Sequence, residues 1–231
     1  RRGSLAGWRS PISGGVAKRA APACIYVLAG TNGAGKSSVG GAAIRQKGAD
    51  YFNPDEATQR IRSLNPHVSE RDANGAAWQE GKRLLEDAMA NRLVFAIETT
   101  LGGDTITDLL LRALAEGIEV RIWYVALATP ELHIARVRAR VARGGHDIPE
   151  SKVRERYARS RINLIRLLPL LTELRVFDNS LEADPAAGAA PSPMLVLHMV
   201  NRTNVATCEL SQVPEWAKPI VAAALRSSET R

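Results

Sequence analysis

The residues best suited to chemistry form one uninterrupted run near the start of the sequence. It reads G-x-x-x-x-G-K-S and consists of Gly30, Thr31, Asn32, Gly33, Ala34, Gly35, Lys36 and Ser37, followed by Ser38. Glycines let a backbone wrap closely around phosphate groups, so that successive N–H groups face the negative charge. A lysine at this place reaches the outer phosphates, and the hydroxyl after it can ligate Mg²⁺. The run predicts an ATP-binding P-loop in which Lys36 is catalytic, Ser37 holds the metal and all nine residues contact the nucleotide.

Two carboxylates further along could act on the group that receives a phosphate. Asp55 directly follows a predicted strand, at the sheet edge where α/β proteins bind ligands, and could accept the proton of an acceptor hydroxyl. The alternative is a first-turn acid that complements the helix dipole. Glu98 interrupts an apolar strand, where an ionised group needs a partner such as hydrated Mg²⁺ or a substrate hydroxyl. The alternative is an exposed strand end that caps the next helix. We predict that Asp55, Glu98, Thr99 and Thr100 bind substrate, with Asp55 also catalytic.

Basic residues concentrate in one later segment. Residues 131–166 hold ten Lys and Arg against four Asp and Glu. Mobile arginines near a P-loop can neutralise charge on a transferring phosphoryl group, whereas a solvated helix face is the plainer interpretation of any single one. Arg140 and Arg156 are our predicted catalytic arginines. His146 follows two glycines and is predicted to be a hinge or a substrate contact.

Alternating apolar strands and helices must position these groups. Strands are predicted at residues 24–30, 49–53, 93–99, 120–126 and 175–178, and helices from about residue 36 and at 55–64, 74–90, 105–116, 130–142 and 149–168. This alternation predicts an α/β fold of the P-loop NTPase type, with a parallel sheet flanked by helices and an Arg-rich helical lid at about 130–166. A glycine-rich strand-to-helix turn without a ligand is the alternative to the P-loop, and the complete motif in this context favours the P-loop. Trp78, Trp123 and Tyr157 are predicted to pack in the core or between helices.

Composition divides the chain into three parts. Residues 1–22 carry five basic residues and no acid, which predicts a flexible basic tail without a signal-type apolar core. Residues 23–183 form the predicted kinase core. Residues 184–231 begin with a linker-like stretch rich in proline and alanine, and continue with a predicted hairpin and a closing helix that packs on the core.

Charge and apolar content narrow the class of protein. No apolar run approaches the roughly 18 residues of a membrane-spanning helix, and the two cysteines lack metal-ligand spacing, so we expect a soluble, cytoplasmic protein. A net charge of +7 invites a nucleic-acid interpretation. However, the arginines lack the interleaved aromatic residues of a single-strand platform, and an anionic small molecule explains them at least as well.

Four blocks of this sequence resemble the zeta toxin family of P-loop kinases, especially its stand-alone zeta-like branch. They are GTNGAGKSS from Gly30, FNPDE from Phe52, FAIETTLGG from Phe95, and RVRARVARGGHDIPESKVRERYARSRINL from Arg136 with DNS from Asp178. Together they span about residues 24–180. The last block is more specific than the P-loop, which many NTPases share.

The resemblance implies an activity and roles for particular residues. It implies ATP- and Mg²⁺-dependent phosphorylation of the 3′-hydroxyl of the amino sugar in UDP-N-acetylglucosamine, which blocks cell-wall precursor synthesis. By resemblance, Lys36 holds the phosphates, Asp55 is the base, Glu98 binds the sugar nucleotide and two lid arginines stabilise the transferred group. A separate antitoxin protein is the implied partner, and no antitoxin-like helical segment lies in this sequence.

Two other functions stay open on the sequence alone. One is a kinase for another hydroxyl acceptor, such as an antibiotic, a nucleoside or an RNA end. The other is a P-loop NTPase linked to nucleic acid. Against the second, no hydrophobic strand ends in Asp followed by Glu, as strands in NTPases that activate water often do.

Overall fold

One mixed sheet organises the chain. The computed structural model describes residues 22–41, 44, 50–181, 193–202 and 204–229. Within these residues the strands are β1 (Cys24–Ala29), β2 (Asp50–Phe52), β3 (Val94–Thr99), β4 (Glu119–Ala126), β5 (Glu173–Asp178), β6 (Met194–Val200) and β7 (Asn204–Thr207). Their order is β2-β3-β1-β4-β5-β6-β7. Strands β1 to β5 pair in parallel with one another, and β6 and β7 add an antiparallel edge next to β5. The predicted α/β fold with a parallel sheet is confirmed.

Helices connect the strands and cover the sheet. They are α1 (Ser37–Gly41, a π-helical turn), α2 (Pro54–Leu64), α3 (Glu70–Ala90), α4 (Asp104–Ala115), α5 (Pro130–Val141), α6 (Glu150–Leu167) and α7 (Lys218–Glu229). Helix α3 begins at Glu70, one turn before the predicted start at residue 74, so that prediction is wrong. The Ser69 side chain accepts a hydrogen bond from the backbone N–H of Asp72 and caps the extra turn.

The main core lies on one face of the sheet. On this face, Val27 of β1, Ile122 of β4 and Val176 of β5 are fully buried. They belong to one hydrophobic cluster with residues of α3, α4 and α6. Helix α7 joins the same core through Ile220 and Ala224, as predicted for a closing helix that packs on the core. Burying a large aliphatic side chain contributes about 1.5–3 kcal/mol, so this layer holds the sheet against the helices.

The C-terminal part of the described chain extends the sheet. Strands β6 and β7 form an antiparallel hairpin, as predicted. The predicted N-terminal tail and most of the linker-like stretch lie outside the described residues. No helix within the described residues is both long enough and apolar enough to cross a membrane.

Strand order brings distant segments of sequence to one sheet edge. Strand β1 lies between β3 and β4, so the loop after it stands where the order of strands reverses. Ligands of open α/β sheets bind at such a point. The Gly30 N–H donates to the Thr99 carbonyl oxygen at 3.2 Å, and Leu28 pairs in register with Glu98. The glycine-rich run and Glu98 therefore meet at the carboxyl edge, with the start of α2 beside them.

Candidate active site

The P-loop backbone is packed too closely for side chains at two of its glycines. Gly30 has a φ of 141°, and a Cβ atom there would lie 2.0 Å from the Val125 carbonyl oxygen. Gly33 has a φ of 82°, and a Cβ atom there would lie 2.6 Å from the His133 carbonyl oxygen. Only glycine tolerates both the positive φ and the contact. The loop is thus pressed against the end of β4 and against α5.

Two side chains from later segments hold the P-loop from behind. His133, fully buried on α5, accepts the Leu127 N–H at Nε2 (3.2 Å), so Nδ1 carries the proton and donates to the Asn32 carbonyl oxygen at 2.8 Å. Burial lowers the pKa of His133 to about 4, which keeps the ring neutral. Asn179 donates to the Ala34 carbonyl oxygen at 2.9 Å. Sequence reasoning missed His133, while Asn179 entered it only within the DNS block.

Several polar side chains beside the P-loop contact the carboxylate of Glu98. Its carboxylate accepts hydrogen bonds from the Tyr51 hydroxyl (2.7 Å), the Asn53 amide (3.1 Å) and the Ser37 hydroxyl (3.2 Å). The Lys36 Nζ atom lies 3.6 Å from the same carboxylate. Glu98 is buried, so the alternative of an exposed helix-capping acid is wrong. Each partner offsets part of the cost of burying the charge.

The Ser37 hydroxyl and Glu98 form an oxygen pair that suits Mg²⁺. Mg²⁺ is usually held by one or two protein oxygens together with substrate phosphates rather than by an all-protein cage. The described residues contain no group of three or more His, Cys, Asp or Glu placed to hold a metal. The Ser37 and Glu98 oxygens fit this mode of binding, in which the nucleotide supplies further ligands, and the metal role of Ser37 stays a prediction.

Asp55 lies at the start of α2 without serving as its cap. The Asn53 side chain is the cap, because its Oδ1 accepts the N–H groups of Asp55 (2.9 Å) and Glu56 (3.4 Å). The half-exposed Asp55 carboxylate instead lies 3.3 Å from Nη1 of Arg140. The predicted base and one predicted lid arginine are thus in contact.

The loop between α5 and α6 is fastened to the start of α3. Arg140 donates to the His146 carbonyl oxygen at 3.0 Å, and the His146 ring contacts the Glu70 carboxylate through Nδ1 and the Asn74 amide through Nε2. A Cβ atom on Gly145 would lie 2.6 Å from the Arg140 side chain, so the turn folds tightly over that arginine. His146 therefore joins the lid loop to the wall of the site.

Arg156 contacts the P-loop directly. Its Nη1 donates to the Asn32 side chain at 2.8 Å, and a Cβ atom on Gly102 would lie 2.5 Å from its aliphatic stem. Burial lowers the pKa of Arg156, while the nearby carboxylates Glu155 and Asp55 act in the opposite direction. Arginine nonetheless keeps its charge. The two predicted arginines thus contact different parts of the site: Arg156 contacts Asn32 of the P-loop and Arg140 contacts Asp55 at the start of α2.

The loop after β3 is held in a strained turn. Leu101 is buried with a φ of 50°, a conformation that costs a residue with a side chain about 1–3 kcal/mol. The Thr99 hydroxyl accepts the Leu101 N–H (3.1 Å) and the Thr100 hydroxyl accepts the Gly102 N–H (3.2 Å). Asn163 on α6 donates to the Leu101 carbonyl oxygen at 2.9 Å, and sequence reasoning missed it. Since α6 also carries Arg156, one helix of the predicted lid contacts both the P-loop and the loop after β3.

A cleft of about 760 Å³ lies between the P-loop, α2, α3, the loop after β3 and the lid. The predicted site residues in its lining are Asn32, Lys36, Asp55, Glu98, Thr99, Thr100, His146 and Arg156. Trp78 also lines the cleft and is 42% exposed, so its predicted packing in the core or between helices is wrong. Trp123 and Tyr157 are partly buried and pack against Phe177 and His133, as predicted.

Known proteins resemble this chain in sequence or in fold. The chain is 32% identical to an uncharacterised protein of Haemophilus influenzae over 129 residues, which are 55% of this chain and 88% of that protein. A chain in the crystal structure of AvrRxo1-ORF1:-ORF2 with ATP aligns with a TM-score of 0.60 and 15% identity, over 88% of this chain and 63% of that one. This chain thus spans less than two thirds of that protein.

A second structure leads to the same fold. A chain of the PezAT chromosomal toxin-antitoxin system of Streptococcus pneumoniae aligns with a TM-score of 0.50 and 15% identity, over 91% of this chain and 88% of that one. At such identities the likeness establishes the fold. The family follows from sequence, because the zeta toxin family model matches residues 13–183, which is most of the chain. The chain belongs to the zeta toxin family of proteins.

Proposed function

We propose that the chain is an ATP-dependent kinase whose acceptor is the 3′-hydroxyl of the amino sugar in UDP-N-acetylglucosamine. The observation that carries the proposal is that Lys36 of the P-loop and the Asp55 carboxylate line the same cleft. A phosphoryl donor bound at the P-loop and a hydroxyl bound at Asp55 would then face each other. Family membership supports the sugar-nucleotide acceptor, and through it the block of cell-wall precursor synthesis.

The P-loop side would bind and orient ATP. The backbone N–H groups of residues 30–38 and the Lys36 ammonium would hold the phosphates. Ser37 and Glu98 are the residues that would hold Mg²⁺, which when bound neutralises phosphate charge. The AvrRxo1 structure, which contains ATP by its own description, supports the choice of nucleotide.

The acceptor side would remove a proton and balance charge. Asp55 would take the proton of the attacking hydroxyl, since its carboxylate is half exposed towards the cleft. Arg156 lies against the P-loop and would stabilise the charge of the phosphoryl group in transfer, and Arg140 beside Asp55 would orient that carboxylate. Thr99, Thr100 and Glu98 would bind the acceptor sugar.

A separate antitoxin protein is the proposed partner. The PezAT chain, which shares this fold, is described as part of a toxin-antitoxin system, and this description supports such a partner. A protein that covers the cleft would shut out both substrates, because both lie against one opening.

The direct test is phosphoryl transfer to a panel of acceptors. The chain is incubated with ATP, Mg²⁺ and one acceptor at a time. The acceptors are UDP-N-acetylglucosamine, UDP-glucose, a nucleoside, an aminoglycoside and an RNA end. Mass spectrometry then measures the mass of each product. We expect UDP-N-acetylglucosamine to gain one phosphoryl group, which NMR locates on the 3′-oxygen, and Lys36→Ala to abolish the gain. Transfer to another acceptor would replace the proposed substrate, and ATP hydrolysis without transfer would contradict the kinase assignment.

A further inference from the structure

Helix α3 presents an exposed tryptophan inside the cleft. Trp78 is 42% exposed, whereas Trp216 is only 3% exposed and Trp123 is partly buried. Single exposed apolar residues on a convex surface are ordinary, but large aromatic side chains in a concave site commonly contact a ligand. The position of Trp78 in the lining of the cleft is the starting point for a substrate subsite.

The neighbours of Trp78 on the helix leave room for a flat group. Arg71, Gly75, Trp78 and Lys82 are spaced three, four and seven residues apart, share one face of α3, and all line the cleft. A Cβ atom on Gly75 would meet no atom within 4 Å, so the surface beside the indole is open. A ring could therefore lie against the indole face without a clash from the preceding turn.

One basic residue precedes Trp78 on this face of α3, and another follows it. Arg71 has no hydrogen-bond or ion-pair partner among the described residues, and Lys82 has only Glu86 of its own helix. The carboxylate of Glu70 in the same cleft already pairs with His146. Arg71 is thus a positive charge at this wall that no described residue neutralises, which suits a phosphate attached to the stacked ring.

A chain of contacts connects this wall with the predicted base. Thr58, one turn after Asp55 on α2, donates to the Asn74 side chain at 3.0 Å, and Trp78 follows Asn74 by one turn of α3. Asp55 and Trp78 therefore each lie within about one helical turn of this contact between α2 and α3. An acceptor whose sugar hydroxyl lies at Asp55 would extend its far end towards Trp78.

We infer that the α3 wall is a nucleotide subsite of the acceptor, in which Trp78 stacks on a nucleobase and Arg71 contacts the attached phosphates. This inference rests on the proposed function, because it treats the cleft as the acceptor site. It deepens that function by assigning the base-carrying end of the acceptor to particular residues. An uncharged sugar alone would leave Arg71 without a partner.

The test measures binding with the P-loop filled by a non-hydrolysable ATP analogue and Mg²⁺. UDP, uridine, UDP-N-acetylglucosamine and N-acetylglucosamine 1-phosphate are titrated by calorimetry into the wild type, Trp78→Ala and Trp78→Phe. Base stacking on an aromatic side chain predicts that Trp78→Ala weakens binding of UDP and UDP-N-acetylglucosamine about tenfold or more. Binding of the sugar phosphate and of the ATP analogue is expected to stay unchanged, and Trp78→Phe is expected to recover most of the loss.

Two further variants separate stacking from charge. Arg71→Gln is expected to weaken the binding of UDP more than the binding of uridine, since uridine carries no phosphate. UDP is expected to quench tryptophan fluorescence in the wild type and in Trp123→Phe, whose indole lies outside the cleft lining, but not in Trp78→Phe. Trp78→Ala that binds UDP as tightly as the wild type, or quenching of Trp78 by the ATP analogue instead, would overturn the inference.

The inference and the proposed function fail in different ways. If UDP-N-acetylglucosamine accepts no phosphate but another nucleoside diphosphate binds in a Trp78-dependent manner, the proposed acceptor is wrong and the subsite stands. If Trp78→Ala transfers phosphate to UDP-N-acetylglucosamine with an unchanged acceptor KM, the subsite is wrong and the function stands. If no base-carrying compound in the panel binds through Trp78, the subsite is wrong.

Discussion

The two sides of the cleft are built in opposite ways. The P-loop is supported from behind by fully buried His133 and by Asn179, and a Cβ atom on Gly30 or Gly33 would lie too close to a backbone carbonyl oxygen. The acceptor side consists of half-exposed ion pairs, such as Asp55 with Arg140, and of an exposed tryptophan. The donor side is thus fixed by packing, whereas the acceptor side is assembled from charges in contact with water.

This difference matches the chemistry that each side is proposed to perform. The triphosphate group is the same in every nucleoside triphosphate, so a rigid loop of N–H groups can bind it with little rearrangement. An acceptor, by contrast, must be distinguished from other hydroxyl compounds. Exposed ion pairs contribute only about 0–1 kcal/mol each, so the acceptor side can rearrange at small cost.

The largest expected effect comes from removing the charged group of the rigid side. Lys36→Ala should lower phosphoryl transfer by about 10³-fold or more, because this catalysis depends on positioning and charge stabilisation. The fold should persist, since the Lys36 side chain points to the polar cluster at Glu98 rather than into the apolar core. Turnover and circular dichroism measure the two effects, and near-normal turnover would contradict the P-loop assignment.

On the acceptor side, Asp55→Asn should remove the proton acceptor while keeping the shape of the side chain. Transfer should fall roughly 10²-fold, the usual scale for loss of a general base. ATP affinity should barely change, and the free energy of unfolding should change by less than about 1 kcal/mol, because Asn53 is the helix cap and the pair with Arg140 is half exposed.

Glu56→Gln is the matched control for this variant. It removes another first-turn acid of α2, one that is absent from the cleft lining, and should leave transfer intact. If Asp55→Asn retains transfer while Glu98→Gln abolishes it, Glu98 is the base and the assignment of the two carboxylates must be exchanged.

Replacing the two lid arginines should have different kinetic effects, because Arg156 contacts the P-loop and Arg140 contacts Asp55. Arg156→Ala should lower kcat about tenfold to a hundredfold with a smaller change in the KM for ATP, since the P-loop and Lys36 still stabilise charge. Arg140→Ala should also lower kcat, through the orientation of Asp55. Steady-state kinetics distinguish these effects from plain nucleotide binding, which would change KM alone.

Arg138→Ala is the control for the lid. Arg138 lies two residues before Arg140 on α5 but is exposed and pairs with Glu150 on the surface. Its loss should change kcat little. An equal loss of activity in all three variants would indicate a general effect of charge rather than specific contacts.

The smallest effect on activity is expected from the buried histidine, which instead links stability to pH. The pKa of His133 is about 4 in the folded chain against an ordinary 6.5, so the unfolded chain takes up the proton first as the pH falls. The free energy of unfolding should therefore fall between pH 6.5 and pH 4, by at most about 3 kcal/mol from this group. His133→Gln should lose this pH-dependent part in urea titrations, whereas His198→Gln, at a partly exposed site, should keep it.

The sequence by itself determined the features that are local. The P-loop could be predicted because its motif consists of eight successive residues between a strand and a helix, and the alternation of strands and helices predicted the parallel sheet. Asp55 and Glu98 could be singled out because each directly follows or interrupts a strand. One local signal was missed, since Ser69 followed by Asp72 is a cap that starts α3 a turn early.

The tertiary structure alone decided which of these groups meet. Arg140 reaches Asp55 across 85 positions and Arg156 reaches Asn32 across 124, and both contacts depend on how α5 and α6 fold back over the sheet edge. Likewise, the sequence pattern of α3 does not distinguish a buried Trp78 from an exposed one. Helical spacing places a side chain on a face, but the packing of α2, α4 and the lid decides whether that face is filled by protein or left open to a ligand.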